Sequence, residues 1–257
     1  MAFRFLTHKR ASNADVWNVR TMFGPNLNFA ATEAYKLLRT NIMFSFSNEG
    51  RGIVIGITSA VQSEGKSSTA CNTAYALAEA GSRVLLLEAD LRKPTISSKL
   101  SVNVAPGLTN LLVSRDNYRE MIQHCALAPN MDIISSGDIP PNPSELLGSN
   151  RMAQVMEMLK QEYDYIVMDL PPVTVVSDAV AVSKLLDGVV MVVRGGVSDE
   201  QMLHEALRQL EMVNVRIIGF AYRDTDNPGT GYYRYKNSKK YSKYYNKYYA
   251  DYTKKKR

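Results

Sequence analysis

The sequence predicts an α/β fold: a parallel sheet flanked by helices in the manner of a P-loop nucleotide-binding domain, followed by a disordered tail rich in Tyr and Lys. Three observations predict it. Short apolar runs alternate with amphipathic stretches, the pattern of strands buried on both faces by helices. The first run breaks into Ala60-x-x-x-x-Gly65-Lys66-Ser67, a strand feeding a phosphate-cradling loop. Two later runs end in carboxylates, at Glu88-Ala-Asp90-Leu-Arg92 and at Asp169-Leu-Pro-Pro172.

Taken along the chain, residues 1–28 show no clean period and read as an N-terminal arm. A P-loop domain is expected over 29–223. Its predicted strands are 53–58, 84–88, 131–134, 165–169, 189–193 and 217–221, each a mostly apolar run. Its predicted helices are 32–46, 66–80, 108–113, 152–162, 177–186 and 199–213. The stretch from Asp224 to Gly231 is rich in turn residues, and 224–257 is expected to be a flexible basic tail.

Bulk properties narrow the classes. At 257 residues and 45% hydrophobic content the chain can bury one core. Its most apolar segment, 179–193, is interrupted by Lys184 and Asp187, so no membrane span is expected. The opening ten residues lack the apolar core of a secretory signal, which points to the cytoplasm. Cys71 and Cys125 offer no disulfide framework, and His8, His124 and His204 have no metal-ligand spacing. The net charge of +6 is uneven. From Thr230 onward ten Lys and Arg face the single Asp251, giving +9, and the remainder stands at −3.

The cradle comprises Ala60, Ser63, Glu64, Gly65, Lys66, Ser67 and Ser68, with Ala60 where the pattern ordinarily has glycine. Its backbone N–H groups and the following helix N-terminus suit a polyphosphate. Lys66 would reach the β- and γ-phosphates, and the Ser67 hydroxyl would sit on Mg²⁺. In open α/β sheets ligands lie beyond the carboxyl ends of the strands, so Glu88, Asp90 and Asp169 should converge on the same edge. Buried acids there call for a cation, and Ser67, Asp90 and Asp169 are the expected Mg²⁺ ligands.

With these motifs the chain resembles the bacterial tyrosine kinases. That family has a Walker A loop, an acidic Asp-x-Asp-x-Arg motif after an apolar strand, and a Walker B strand ending Asp-x-Pro-Pro, in that order. The counterparts here are Ala60–Ser67, Glu88 to Arg92 and Asp169 to Pro172, with Glu88 in place of the first Asp. Gly137 to Leu147 also looks like a family segment, with no role legible in its residues. The resemblance implies transfer of the ATP γ-phosphoryl to tyrosine, with Lys66, Glu88, Asp90 and Arg92 as catalytic residues. Glu88 or Asp90 would take the phenol proton, and Arg92 would clamp phosphate or orient the acids. It also implies a ring-forming contact at Glu33, Lys36 and Arg39, where the family has Glu-x-x-Arg-x-x-Arg. A role in capsular or extracellular polysaccharide synthesis or export follows, as does a separate transmembrane activator that holds the chain at the inner membrane face.

The tail supplies an acceptor. Tyr232, Tyr233, Tyr235, Tyr241, Tyr244, Tyr245, Tyr248, Tyr249 and Tyr252 are nine of the fifteen tyrosines, interleaved with Lys, Asn and Ser and almost no aliphatics. Such a segment cannot form a core. Alone it could equally stack on single-stranded nucleic acid. Beside an ATP site it reads as an autophosphorylation substrate, used in trans within an oligomer, with nucleic acid not an expected partner and other protein substrates left open. Each phosphotyrosine adds about −1.5 to −2 near neutral pH, so full modification would reverse the tail's charge and release it from an acidic site. The competing reading is a partitioning-type ATPase switch that binds DNA or membrane without phosphorylating protein. Its loop begins with an extra lysine that the stretch from Thr58 to Val61 lacks.

Overall fold

The structure, a computed structural model, describes residues 23–46, 50–114 and 117–223. Most of the expected arm and the whole tyrosine-rich tail lie outside the described residues.

A seven-stranded sheet forms the centre, in the order β3-β4-β2-β5-β1-β6-β7. The strands are β1 (Ile53–Ser59), β2 (Val84–Glu88), β3 (Gln123–His124), β4 (Met131–Ile134), β5 (Tyr165–Asp169), β6 (Gly188–Arg194) and β7 (Ile217–Arg223). All pair in parallel except β3, a two-residue antiparallel edge that the sequence does not announce. Strands β1 and β2 are buried at every position, as expected for parallel strands covered on both faces.

Alternation within the strands sorts their side chains into two cores. Val54, Leu85, Leu87, Ile166 and Met168 face one layer, with helices α4 (Leu108–Val113), α6 (Asn150–Glu162), α7 (Asp178–Ala181) and α8 (Glu200–Met212). Ile55, Ile57, Leu86, Val167 and Val190 face the other, with α1 (Phe29–Ser45) and α2 (Lys66–Glu79). Met152, Val155, Met156 and Leu159 form the buried stripe of α6 at helical spacing. Two short helices complete the set, α3 (Ile96–Leu100) and α5 (Pro143–Leu147).

Caps explain where several helices begin. Asn28, Ser149 and Asp199 each accept a hydrogen bond from the third residue on, starting α1, α6 and α8. The predicted helix 177–186 is broken. After α7 the chain tightens into a 3₁₀ turn at Ser183–Leu185. That turn brings Asp187 to the foot of β6, where its Oδ2 accepts from Val54 N at 2.8 Å and its Oδ1 pairs with Arg51 at 2.6 Å. Of the expected arm, Phe23 is buried and Gly24 N donates to Asn72 Oδ1 at 3.0 Å, fastening residues 23–28 to α2.

Leu86 lies wholly buried in a central strand. Leu86→Ala is expected to cost about 2–5 kcal/mol in urea denaturation, whereas Met212→Ala at an exposed helix end should cost under about 0.5 kcal/mol. Equal losses at the two positions would contradict this assignment of the core.

Candidate functional site

Sheet order gathers the predicted site. Strand β5 lies between β1 and β2, and Asp169 is the register partner of both Ile57 and Glu88. The loop after β1, the acids after β2 and the end of β5 therefore share one edge, at the point where strand order reverses.

The loop from Ala60 to Gly65 is held from several sides. Glu64 is fully buried; its Oε2 accepts from Val61 N at 2.8 Å, and its Oε1 takes the Ser198 hydroxyl. Ala60 is buried without strain, and its carbonyl accepts from Thr174 Oγ1 at 2.7 Å. The Ser63 carbonyl accepts from Arg194 Nη1 at 3.0 Å. Gly65 has φ +94°, in the left-handed region, and a Cβ added there would collide with the Arg223 guanidinium. Gly65 opens α2 with no side-chain cap, unlike α1, α6 and α8. Ser68, on the first turn of α2, uses its carbonyl to accept from Asn72 Nδ2 at 3.0 Å.

Next to this loop the charges are paired in a specific way. Lys66 Nζ donates to Asp90 Oδ2 at 2.6 Å, with both side chains largely buried. Burial alone would lower the Lys66 pKa, yet Asp169, Asp90 and Glu88 hold it above the ordinary lysine value. Asp90 Oδ1 accepts from Lys93 N at 3.1 Å, and Lys93 Nζ reaches Gln62 Oε1 at 3.1 Å, tying the acidic loop to the phosphate loop.

Glu88 and Asp169 differ sharply. Glu88 is fully buried; its Oε1 accepts from Thr95 N at 2.5 Å and Ile96 N at 2.6 Å, and its Oε2 from Ser136 N at 3.1 Å. Burial raises its pKa, opposed by those three backbone donors. Its longer side chain thus joins β2 to the start of α3 and the end of β4. Asp169 is also buried, but neither carboxylate oxygen completes a hydrogen bond among the described residues. Burial is the main reason that its pKa is pushed up to about 7; Lys66 and the nearby Ser67 hydroxyl oppose the shift. An orphaned buried carboxylate beside a hydroxyl and a second acid fits a hard divalent cation, which takes oxygen ligands and leaves room for phosphate oxygens. Of the three expected ligands, Ser67 and Asp169 could hold it, while Asp90 is engaged by Lys66.

Arg92 does not hydrogen-bond to the acidic pair. Its Nε donates to Asp178 Oδ2 at 2.8 Å and its Nη2 to Asp178 Oδ1 at 3.1 Å. On α1, Lys36 Nζ pairs with Glu33 Oε1 at 3.0 Å, and both are partly exposed. Arg39 instead turns inward, with Nη1 3.2 Å from the Ala76 carbonyl and 3.7 Å from Glu79 Oε2, docking α1 on α2. Residues that sequence reasoning missed include Thr174, Ser198, Arg194, Arg223 and Asp178. Each is an ordinary polar or charged residue in the sequence; sheet order puts the ends of β6 and β7 and the segment after β5 beside the loops, which brings them in.

A family model described as an AAA domain matches residues 54–216. The chain is 35% identical over 188 residues to the tyrosine-protein kinase YwqD of Bacillus subtilis, covering 73% of this chain and 78% of the relative. Several other curated relatives are longer, and the chain spans 26% to 29% of their length, whereas it covers 82% of the putative tyrosine-protein kinase CapB of Staphylococcus aureus at 31% identity over 73% of this chain. Among solved structures, the kinase domain of the Escherichia coli tyrosine kinase ETK superimposes with a TM-score of 0.72 at 31% identity, covering 77% of each chain. The chimerical protein CapA2B2 does so with a TM-score of 0.70 at 32% identity, covering 75% of this chain and 83% of that one.

The state of Asp169 sets a pH dependence. Its folded pKa, near 7, lies above the ordinary 3.8, so the fold favours the protonated form. That stabilisation is present at acid pH and lost as pH rises through about 7, a loss of about 1 kcal/mol between pH 6 and 8. Without ligand, the melting temperature should therefore fall by a few degrees over that interval. Asp169→Asn should flatten the fall and raise the value at pH 8. An unchanged or steeper fall in the variant would contradict the desolvated carboxylate.

Proposed function

The chain belongs to the bacterial tyrosine kinases, and from that premise we propose that it phosphorylates tyrosines of its own C-terminal segment, using ATP and Mg²⁺. The observation that carries this reading is the Lys66–Asp90 ion pair beside the orphaned carboxylate of Asp169, at the mouth of a phosphate loop. Nine tyrosines between Tyr232 and Tyr252 provide the acceptors.

In this mechanism the loop amides and Lys66 neutralise the triphosphate, which draws Lys66 from Asp90 toward the β- and γ-phosphates. The freed Asp90 then accepts the phenol proton, because a phenol with a pKa near 10 is a poor nucleophile until that proton leaves. Asp90 is preferred to Glu88, whose two oxygens are occupied by three backbone N–H groups. The phenolic oxygen bonds to the γ-phosphorus as the bond to the β–γ bridging oxygen breaks, and ADP departs. Ser67 and Asp169 would hold Mg²⁺, which would supply positive charge against the charge developing on the phosphates and leave Asp90 to the proton. Glu88 fixes the end of β2 so that Asp90 stays in place.

Transfer in trans is supported by α1. Its outer side carries the Glu33–Lys36 pair beside the exposed Leu37, and Phe44 at its end is 77% exposed, a surface suited to a second copy of this chain. Arg39 contributes by holding α1 against α2. Among the described residues no helix is long and apolar enough to cross a membrane. A separate membrane activator, attachment at the inner membrane face, and a role in capsular or extracellular polysaccharide synthesis or export are parts of this proposal that rest on family membership.

Two experiments test it. Lys66→Met should stay folded, with a lowered melting temperature because Asp90 loses its buried partner, and should lose tail phosphotyrosine by at least about a hundredfold after incubation with Mg²⁺ and ATP; persistent phosphotyrosine in the purified variant would refute the assignment. Lys36→Glu should shift the mass measured by light scattering toward monomer and slow autophosphorylation of dilute protein about tenfold. An unchanged mass would remove α1 from the interface.

A further inference from the structure

Outside the phosphate loop, three separated segments meet at one guanidinium. Arg92 follows the acidic loop after β2, Ser144 belongs to α5 in the segment from Gly137 to Leu147, and Asp178 begins α7. Asp178 is wholly buried, while the Arg92 side chain is 42% exposed. Both Asp178 oxygens bind Arg92, and Oδ1 also takes the Ser144 hydroxyl. Ser144 Oγ lies 3.3 Å from Arg92 Nη2 and 3.1 Å from Ser177 Oγ. The edge of the guanidinium formed by Nε and Nη2 is thus fixed. Nη1 has no hydrogen-bond partner among the described residues, two positions along the chain from Asp90.

Stability alone is a poor reason for this arrangement. Desolvating a carboxylate costs several kcal/mol, and a half-exposed partner returns only part of it. An apolar residue at 178 would fill the space without that penalty. The pair does secure orientation: a bidentate fork holds a planar guanidinium at one angle, with its remaining N–H groups directed outward.

We propose that Asp178 and Ser144 are positioning residues that hold Arg92 so that its Nη1 engages the phosphoryl group on the acceptor side, as it moves to the tyrosine and in the aryl phosphate product. This rests on the kinase reading and deepens it. It also gives the segment from Gly137 to Leu147 a task, because α5 places Ser144 against Asp178 and Arg92.

The test is a double-mutant cycle read in phosphoryl transfer to a synthetic peptide of residues 230–252, with ATP affinity measured alongside. Asp178→Asn should lower kcat by about ten- to a hundredfold, in line with the cost of misplacing a reacting group by about an ångström, and leave the Kd for ATP within about twofold. Arg92→Ala should lower kcat to a similar degree. Arg92→Lys, which keeps the charge and loses the fork, should recover little. The double variant Arg92→Ala with Asp178→Asn should match Arg92→Ala within about twofold, because Asp178 acts only through the arginine. Should Asp178→Asn not fold, Ser144→Ala alone and in the Arg92→Ala background completes the same cycle; a loss in the first that vanishes in the second supports the proposal. Additive losses, or full activity in Asp178→Asn, overturn it. A wild-type chain that leaves the peptide unmodified overturns the kinase reading itself, which separates the two failures.

Discussion

A carboxylate sealed from water with no hydrogen-bond partner is among the least favourable groups a fold can carry. Among the described residues Asp169 is such a group, and the elements of the site meet at its position. It ends β5, the strand inserted between β1 and β2, so a phosphate loop stands on one side and a second acidic loop on the other. Among the described residues Lys66 is the ammonium that eases its charge, and that ammonium is also engaged by Asp90. Two acids and one cation share a dry edge, leaving an excess of negative charge that a divalent cation with its nucleotide would resolve.

Holding this excess charge in place requires a stiff surround. Thr174 after β5, Arg194 at the end of β6, Ser198 beyond it, and Arg223 at the end of β7 all touch or bond to the phosphate loop. Glu64 serves within the loop, with its carboxylate closed on Val61 N. Glu88 does the same for the neighbouring loop through three backbone donors. Preorganised groups of this kind can stabilise developing charge without rearranging at the moment of reaction. The extra methylene of Glu88 has a structural meaning here: the carboxylate reaches the amides of Thr95, Ile96 and Ser136.

Much of this fold was legible in the sequence because parallel strands buried on both faces leave uninterrupted apolar runs. Strands 84–88, 131–134 and 165–169 matched their predicted bounds, and the other three gained one or two residues at their ends. Helix starts were less legible, since α1 begins at an Asn28 cap that precedes the periodic stretch. The five-residue helices α3 and α5 were invisible because so short a run has no period. In the site, the loop spacing and the strand-end carboxylates pointed to Lys66, Asp90 and Asp169, and sheet order brings these three to one edge. The role of Glu88 was not legible, because its partners lie on other strands' loops. In the sequence Asp178 is an acid near the start of the predicted helix 177–186, and nothing local reveals that it meets Arg92, 86 residues earlier.

This acidic edge and its phosphate loop should bind nucleotide far more tightly together with a divalent cation than without one. Calorimetric titration of the full chain with a non-hydrolysable ATP analogue, with and without Mg²⁺, tests it most directly. Affinity should rise at least about tenfold when the metal is present, since the analogue alone adds phosphate charge to buried carboxylates. Equal affinity in the two titrations, or no binding in either, would contradict the account.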